Sequence, residues 1–464
     1  MKKNVLKKIL FTLMVIIVGG FTSVAADTLP VIVNGTSLTD EANTMALGEG
    51  TLTYNKETKE LILDNVTITS DTNYGINLVS TEDEVKIILK GDNKIIVTST
   101  NFGIRTSNDI VITGDGKLTI TAEFPTIQGK NITIDGAKLD LTTTGENLAA
   151  IENNYLLTIK NNAKVKAKGY GSALSSFGKM EVIDSELELE ATGDTSNAIY
   201  VEPTNDNGTL SITNSKIKAK SGYACVFSAG DMKLSNSNFN LESIAGGIYS
   251  NTSVSIDNSK VYVSDGNYGV GVGQGNIIVD NSTFEINTNN VAFKYNPIMR
   301  GLDNKVIYAG HEKDGTDAEI VEISDDLDLS EYQYVKITNK YNIKIVTDEN
   351  IVLEGNKEFT AIQGENKEIV VNVKDGYKIK SVLVNDEEAK LNDNKLSLTN
   401  IDKDIIVKIT SEEIPKASVE VDDSKTEINN PKTGDNIIFY IIISIISVIG
   451  LIIVFKFKNK LEEK

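Results

Sequence analysis

The sequence predicts an all-β protein, with a parallel β-helix of about ten coils, a small β-rich module after it, and a C-terminal transmembrane helix. Two repeating patterns between about Leu61 and Tyr295 support the β-helix. In the first, an apolar pair precedes Asp-Asn-Ser or a related triplet, and the clearest copies are separated by 22 or 23 residues. These copies begin at Ile212, Leu234, Ile256 and Val279.

The second pattern is a column of apolar residues expected to face inward, each usually preceded by Gly or Ala. Its predicted members are Ile76, Ile104, Ile127, Ile151, Leu174, Ile199, Cys225, Ile248, Val270 and Phe293. Their spacing of 22 to 28 residues, with alternating strands and Gly, Asn and Asp turns, is typical of a β-solenoid. Asn and Asp tolerate the left-handed conformation of sharp corners, so these residues are predicted turn formers. Cys225 is predicted to be a small buried hydrophobe.

The stretch between about residues 30 and 65 has a pattern of its own. Val33-Asn34-Gly35, residues 48–54 and residues 61–65 form this pattern. This stretch is similar to the entry unit of right-handed parallel β-helices in Firmicute surface proteins, which are often labelled carbohydrate-binding. The resemblance covers roughly residues 30–300. It implies an entry unit at residues 27–60. Residues 61–338 would then form a right-handed parallel β-helix that includes its exit segment.

Residues 339–411 show a different pattern. Alternating segments at 376–385, 396–401 and 404–409 are predicted strands separated by turn residues. They resemble the small bacterial repeat modules related to internalin B repeats, which usually act as spacers. Residues 412–429 are polar, acidic and poor in aromatic side chains, as in a flexible tether.

The first 26 residues have the pattern of a secretory signal peptide. Four of the first eight residues are lysines, residues 9–20 are apolar, and Val24-Ala25-Ala26 is a small-residue cleavage site. Cleavage after Ala26 leaves a mature chain that begins at Asp27. The protein is therefore predicted to be exported.

Residues 430–464 combine a short motif, an apolar run and a basic tail. Residues 437–455 carry no charge, and a helix of this length nearly crosses the hydrocarbon core of a bilayer. The lysines of the tail at 456–464 favour a cytoplasmic C-terminus and leave the rest of the chain outside. The motif Asn430-Pro431-Lys432-Thr433-Gly434 comes shortly before the apolar run.

This motif resembles the Leu-Pro-any-Thr-Gly sorting signal that sortase transpeptidases cleave in Gram-positive surface proteins. Pro431, Thr433 and Gly434 match it, whereas Asn430 stands where the common form has Leu. That difference is closer to the variants that class B-type sortases recognise. The resemblance implies cleavage after Thr433, transfer to peptidoglycan, and a wall-anchored extracellular protein made through a transient single-span precursor. The alternative is an ordinary membrane anchor preceded by a chance motif.

Composition limits the chemistry of the chain. Its 464 residues carry a net charge of −19 and include one His, one Cys and no Trp. The negative charge disfavours nucleic acid as a partner. His311 and Cys225 alone cannot supply the usual ligands of a zinc site, and any catalytic triad would have to use His311. We therefore predict a monomer with no catalytic residue, no metal site and no cofactor, and calcium is the one ion left open.

Two rows of side chains are candidates for a ligand-binding face. One residue per coil follows the inward column and is expected to point outward; these are Asn77, Arg105, Gln128, Glu152, Ser175, Tyr200, Val226, Tyr249, Gly271 and Lys294. A second row comes before the Gly or Ala corner and contains Tyr74, Phe102, Tyr170, Tyr223 and Tyr268. The second row, with Tyr200 and Tyr249, is the predicted ligand face, because aromatic rings along a flat sheet suit an extended polysaccharide. The alternative is that these rings only pack on their neighbours.

The predicted function is a wall-anchored adhesin or glycan-binding protein whose β-helix face binds a polysaccharide or a host-matrix ligand. One alternative is an anchored polysaccharide lyase or hydrolase, since parallel β-helices also host pectate lyases. Such a site needs clustered carboxylates and a basic residue. Asp109 and Asp115 lie near Arg105 in the sequence and residues 82–84 are acidic, but no segment matches a lyase motif, and the acidic run is typical of a solvated loop. The other alternative is a structural component of the wall or biofilm without a specific ligand.

Overall fold

A computed structural model describes residues 28–79, 84–204 and 207–415. The described residues form strands and turns without a helix, and so include no apolar helix of membrane-spanning length. The predicted signal peptide, sorting motif and transmembrane helix, and most of the tether, lie outside them. By its contacts the chain divides into one unit of Met1–Asp375 and Ile379–Ser411 and a second of Gly376–Lys378 and Glu412–Lys464. Within the second unit, Lys378 pairs with Glu412 at 3.1 Å.

Six strands precede the first complete coil. They are β1 (Thr28–Val33), β2 (Thr36–Thr39), β3 (Thr44–Leu47), β4 (Gly50–Asn55), β5 (Glu60–Asp64) and β6 (Thr67–Ser70). Strands β1 and β2 form an antiparallel hairpin, as do β3 and β4, and β4 also pairs antiparallel with β5. Asn34 and Gly35, both at positive φ, form the two-residue turn of the first hairpin, which is the turn that an Asn-Gly pair favours.

The coils contain short strands joined by tight corners. They are β7 (Ile76–Leu78), β8 (Val85–Lys90), β9 (Asp92–Val97), β10 (Ile104–Thr106), β11 (Ile110–Thr113), β12 (Lys117–Ala122), β13 (Ile127–Asp135), β14 (Lys138–Thr143), β15 (Ala149–Lys160), β16 (Lys164–Gly169), β17 (Ser172–Ser176), β18 (Lys179–Ile183), β19 (Glu186–Ala191), β20 (Asn197–Val201), β21 (Leu210–Thr213), β22 (Lys216–Ser221), β23 (Ala224–Ser228), β24 (Met232–Ser235), β25 (Asn238–Ser243), β26 (Gly246–Ser250), β27 (Val254–Asp257), β28 (Lys260–Ser264), β29 (Tyr268–Val272), β30 (Ile277–Asp280), β31 (Thr283–Asn287), β32 (Val291–Phe293) and β33 (Ile298–Arg300).

These strands stack into three parallel sheets, which we call faces 1, 2 and 3. Face 1 contains β7, β10, the first parts of β13 and β15, then β17, β20, β23, β26, β29 and β32. Face 2 contains β5, β8, β11, the last parts of β13 and β15, then β18, β21, β24, β27, β30 and β33. Face 3 contains β6, β9, β12, β14, β16, β19, β22, β25, β28 and β31. The predicted parallel β-helix of about ten coils is confirmed.

The inward column of face 1 follows the prediction at every coil except one. Val226, and not Cys225, pairs with Ile199 on one side and Ile248 on the other. Cys225 lies one position earlier and is equivalent to small buried residues of other coils, such as Ala198. The prediction was wrong by one residue because Cys225 follows an alanine, which imitates the usual Gly or Ala before an inward residue. The slip also moves the outward residue of this coil from Val226 to the next position.

Asn and Asp residues turn the chain from face 2 to face 3, as predicted. Their φ angles lie between 43° and 54° at Asn65, Asp184, Asn214, Asn236, Asn258 and Asn281. The amide Nδ2 of Asn258 donates to Asn236 Oδ1 at 2.6 Å in the neighbouring coil, and Asn214 donates to Asp184 in the same way. The corner residues therefore join successive coils as well as forming turns.

A buried serine follows each of several corners and forms a second ladder. The backbone N–H of Ser215 donates to Ser237 Oγ at 3.0 Å, and the N–H of Ser237 donates to Ser259 Oγ at 3.1 Å. Each hydroxyl in turn donates to a carbonyl two residues earlier, as Ser237 does to Ser235 at 2.7 Å. The Asn-Ser motif thus satisfies backbone groups that the corner would otherwise leave buried without partners.

The last strands cover the end of the solenoid and form the region after it. They are β34 (Lys305–Gly310), β35 (Glu319–Val321), β36 (Tyr334–Thr347), β37 (Ile351–Glu354), β38 (Glu358–Ile362), β39 (Lys367–Val373), β40 (Tyr377–Val384), β41 (Glu387–Glu388), β42 (Lys395–Leu398) and β43 (Ile405–Glu413). The first half of β36 pairs antiparallel with β31 and β34 and so covers the last edge of face 3. Its second half pairs with β38 and β43 over a separate apolar cluster that extends from Ile343 to Ile409.

Candidate functional site

Face 1 presents one outward side chain per coil in register. From the first coil onward these are Asn77, Arg105, Gln128, Glu152, Ser175, Tyr200, Phe227, Tyr249 and Gly271. Phe227 replaces the predicted Val226, which is fully buried. Phe227 thus lies between Tyr200 and Tyr249, the two tyrosines predicted to face outward.

The three rings form a continuous stack along the solenoid axis. The Tyr200 and Phe227 ring centroids are 5.2 Å apart with planes inclined by 24°, and those of Phe227 and Tyr249 are 6.1 Å apart at 12°. Tyr268 packs against Tyr249 at 5.8 Å, and Lys294 Nζ lies 5.0 Å from the Tyr249 centroid. One end of the stack is therefore covered. At the other end the next outward residue is Ser175, which leaves the outer face of Tyr200 open.

The predicted row of aromatic residues at the corner is not one row in the structure. Tyr268 pairs with Gly246, and Gly246 with Ala224, so small residues continue the column of Tyr268. Tyr170 and Tyr223 lie outside this column, with 42% and 41% of their surfaces exposed. The prediction was wrong about the alignment because the number of residues between ring and corner differs from coil to coil.

Tyr74 and Phe102 belong to a second aromatic cluster near the start of the solenoid. Their rings are 5.9 Å apart, and Phe102 contacts Phe124 edge-on at 5.3 Å. The Arg105 guanidinium lies 5.4 Å from the Tyr74 centroid and donates from Nη1 to the Tyr74 hydroxyl at 3.0 Å. Asp109 accepts a hydrogen bond from Asn131 at 2.9 Å. Arg105 thus contacts rings in this cluster.

A groove of about 520 Å³ crosses face 1 at β17. Its floor contains Ser172 and Ser175, both buried, because β17 has a small residue at each of these two positions. Glu152 lines one side, and Tyr200, Tyr223 and Phe227 line the other, with further polar side chains from Asn147, Thr195 and Asn197. The groove exists because Ser175 interrupts the outward column, with a carboxylate in the preceding coil and an aromatic ring in the following coil.

Hydrogen bonds hold the polar groups beside the groove. Gln128 Nε2 donates to Glu152 Oε1 at 2.9 Å, which orients the carboxylate and leaves its other oxygen available to a ligand hydroxyl. The Tyr200 hydroxyl donates to the Glu202 carboxylate. Burial, followed by the adjacent Glu202 carboxylate, raises the pKa of Tyr200 above its ordinary value.

Tyr268 lies at the covered end of the stack. Its ring lies over Gly246, where an added Cβ would be only 2.1 Å from the ring. Its hydroxyl is buried without a hydrogen-bond partner among the described residues, and burial raises its pKa. Gly246 therefore allows Tyr268 to lie close to the solenoid surface beside Tyr249.

An aromatic face beside buried hydroxyls and a positioned carboxylate is an arrangement that binds sugars, because a sugar ring has an apolar face and hydroxyl edges. One protein-family model, described as carbohydrate-binding domain-containing protein, matches residues 24–269. The chain belongs to this family. No curated protein and no solved structure gave a significant match. In this carbohydrate-binding domain-containing protein, all the residues that line the groove fall within the matched segment.

Cys225 and His311 lie outside the groove, and the prediction that Cys225 is a small buried hydrophobe is confirmed. Cys225 is fully buried, its Sγ lies 3.1 Å from the Glu242 carbonyl, and burial raises the pKa of its thiol to about 12. The exposed ring of His311 stacks on Tyr332 at 4.8 Å, in the segment after the last coil. Within residues 28–79, 84–204 and 207–415, no three His, Cys, Asp or Glu side chains come together as a candidate metal site.

Proposed function

We propose that this protein binds a polysaccharide through the groove on face 1, with one sugar ring against the open face of Tyr200. The observation that supports this most is that Ser175 occupies the outward position next to the three-ring stack, where an aromatic residue would have continued it. Glu152 and Tyr200 are two coils apart, which corresponds to about 9.6 Å between their strands. A sugar ring in this space continues the stack, and its hydroxyls reach Glu152 and the serine floor.

Filling the groove tests the proposal without removing a buried contact. Ser175→Tyr extends the aromatic column into the space assigned to the sugar and should abolish binding. Ser211→Tyr, which changes an outward residue of face 2 in the same way, should leave binding intact. The measurement is a glycan array of neutral polysaccharides, followed by calorimetry on the best binder, with circular dichroism as the check on folding. Equal binding by wild type and folded Ser175→Tyr rejects the groove as the site.

We also propose that the protein works on the outside of a Gram-positive cell, covalently attached to the wall through Thr433. The support is the order of the sequence: a signal peptide at 1–26, the motif at 430–434, an apolar run at 437–455 and a basic tail. Pro431 fixes its own φ angle and so bends the extended peptide that the sortase would bind. Gly434 has no side chain, which lets a cysteine nucleophile approach the Thr433 carbonyl. A glycan-binding protein fixed in this position acts as an adhesin.

Mass spectrometry of wall protein released by muramidase tests the attachment. The expected C-terminal peptide ends at Thr433 and bears a peptidoglycan fragment. Thr433→Ala should prevent attachment, whereas Lys432→Ala, at the position where the motif accepts any residue, should not. Recovery of peptides that extend past Thr433 from the wall fraction contradicts the proposal. This result is independent of the glycan-binding measurement.

A further inference from the structure

Face 3 has a concentration of lysines that contrasts with the acidic chain as a whole. From β12 to β28 its outward positions include nine lysines and five carboxylates, an excess of four positive charges, whereas the chain carries −19. The lysines are Lys117, Lys138, Lys164, Lys166, Lys168, Lys216, Lys218, Lys220 and Lys260. We call this surface the lysine face.

The column at the edge of the lysine face stacks like charges. Lys117 pairs in register with Lys138, and Lys138 with Lys164. Three lysine side chains therefore lie side by side on adjacent strands. Like charges directly opposite each other in a sheet are destabilising. Lys117 and Lys164 each reach a carboxylate, Asp140 at 3.1 Å and Glu186 at 3.4 Å, but no described residue forms an ion pair or a side-chain hydrogen bond with Lys138.

The carboxylates of the lysine face are already shared between lysines. Strand β19 lies between two strands whose outward positions are lysines, β16 and β22. Glu186 contacts Lys164 at 3.4 Å and Lys216 at 3.2 Å, and Glu188 contacts Lys166 at 3.7 Å and Lys218 at 3.6 Å. These acids organise the lysines but cannot neutralise all of them.

The same column continues beyond the acidic strand. Lys216 is followed by Asn238 and then by Lys260, which is exposed and forms no ion pair with a described residue. Two shallow grooves of about 430 and 350 Å³ lie between the lysine rows. The positive groups are therefore distributed along the solenoid axis, with room for a chain to lie between them.

We infer that the lysine face binds an acidic polysaccharide whose chain runs along the solenoid axis. Its carboxylates or sulfates would replace the counterions around the column at Lys117, Lys138, Lys164, Lys216 and Lys260. They would also relieve the like-charge stacking of the first three lysines. A regularly charged linear polymer matches lysines repeated from coil to coil. A neutral glycan gains nothing from this arrangement. The inference concerns a different face from the groove, so either can fail without the other.

Removing the two lysines that lack a carboxylate partner tests the inference. Lys138→Gln with Lys260→Gln removes no ion pair between described residues. The matched control is Lys233→Gln on face 2 with Lys403→Gln in the region after the solenoid, and both of these lysines are exposed. The probes are polygalacturonate and heparin, with dextran as the neutral polymer, measured by affinity electrophoresis and calorimetry. The lysine-face variant should bind one or both acidic polymers about tenfold more weakly at low salt. The control should bind as wild type does.

The salt dependence of binding and the choice of polymer test the inference further. Binding should weaken steeply between low and physiological ionic strength, because exposed charges are screened. Ser175→Tyr should retain binding to the acidic polymer, which separates this surface from the groove. Equal weakening in the control variant, binding that is independent of salt, or a short duplex DNA that binds more tightly than both acidic polysaccharides would each overturn the inference.

Discussion

The Phe227 ring stacks on the Tyr200 ring at 5.2 Å, although 27 residues separate them in the chain. Their strands pair directly, so one turn of the solenoid brings the two rings into register. The stack ends at Ser175 in the preceding coil.

The open face of Tyr200 should contribute to glycan affinity. Tyr200→Ala removes the platform, and we expect about fivefold weaker binding, since an aromatic stacking contact contributes about 1 kcal/mol. Tyr200→Phe keeps the ring and removes only the hydroxyl that donates to Glu202, so its affinity should stay close to that of wild type. Calorimetry with the best glycan measures both, and Tyr262→Ala on face 3 is the control. Equal losses in the Ala and Phe variants would show that the hydroxyl, and not the ring face, contacts the sugar.

The serine ladder should stabilise the fold through buried backbone groups. Ser237→Ala removes the oxygen that accepts the backbone N–H of Ser215 at 3.0 Å. A buried donor without a partner costs about 1–3 kcal/mol of unfolding free energy. Ser211→Ala, at an outward position of face 2, should change stability by less than about 0.5 kcal/mol. Chemical denaturation followed by circular dichroism compares the two, and equal stabilities would contradict a role for the ladder.

Asn258 should stabilise the corner in two ways, through its left-handed backbone conformation, with φ at 45°, and through its side-chain hydrogen bonds. Two variants separate these contributions. Asn258→Ala and Asn258→Gly both lose the hydrogen bonds to the neighbouring coils. Alanine also adopts a left-handed conformation at a cost of about 1–2 kcal/mol, which glycine avoids. The glycine variant should therefore be more stable than the alanine variant in thermal unfolding. The reverse order would mean that the corner changes its conformation when the asparagine is removed.

Cys225 should react only when the protein unfolds. The thiol is fully buried, and burial raises its pKa to about 12. Near pH 8 a reagent therefore cannot reach the sulfur, and the reactive thiolate form is scarcely populated. An aromatic disulfide reagent should label native protein at the rate of unfolding and label denatured protein at once. Cys225→Ala should fold normally, because alanine occupies the equivalent position in several other coils. Rapid labelling of native protein would place the thiol at the surface.

The region after the solenoid should lose stability in acid through Asp348. The backbone N–H of Ser411 donates to Asp348 at 2.6 Å and is the largest of the contacts that hold the pKa of this carboxyl below its ordinary value of 3.8. A carboxyl whose pKa is lowered by folding stabilises the protein above its ordinary pKa, and this contribution is lost as pH falls through the lower pKa. Asp348→Asn should therefore be less stable at neutral pH and lose less stability below about pH 4. Parallel stability profiles for variant and wild type would exclude this contribution.

Sequence reasoning predicted the repeat well because its signals are local. Alternating apolar residues and Asn or Asp corners are visible within one coil, and they placed Ile199 and Ile248 in the core column correctly. It failed at Cys225, since Ala224, Cys225 and Val226 are all small or apolar and each could face inward. A slip of one residue exchanges the two faces of a strand, so this ambiguity concealed Phe227.

The sequence by itself determined the repeated strands, the turn-forming corners and the candidate segments at both ends, because each follows from a short run of residues. Only the tertiary structure decided which residues of different coils become neighbours. Coil lengths vary, so the alignment of Ser175 with Tyr200, or of Lys117 with Lys138, depends on backbone pairing between strands. The groove and the lysine face arise from that alignment, which no single stretch of the sequence contains.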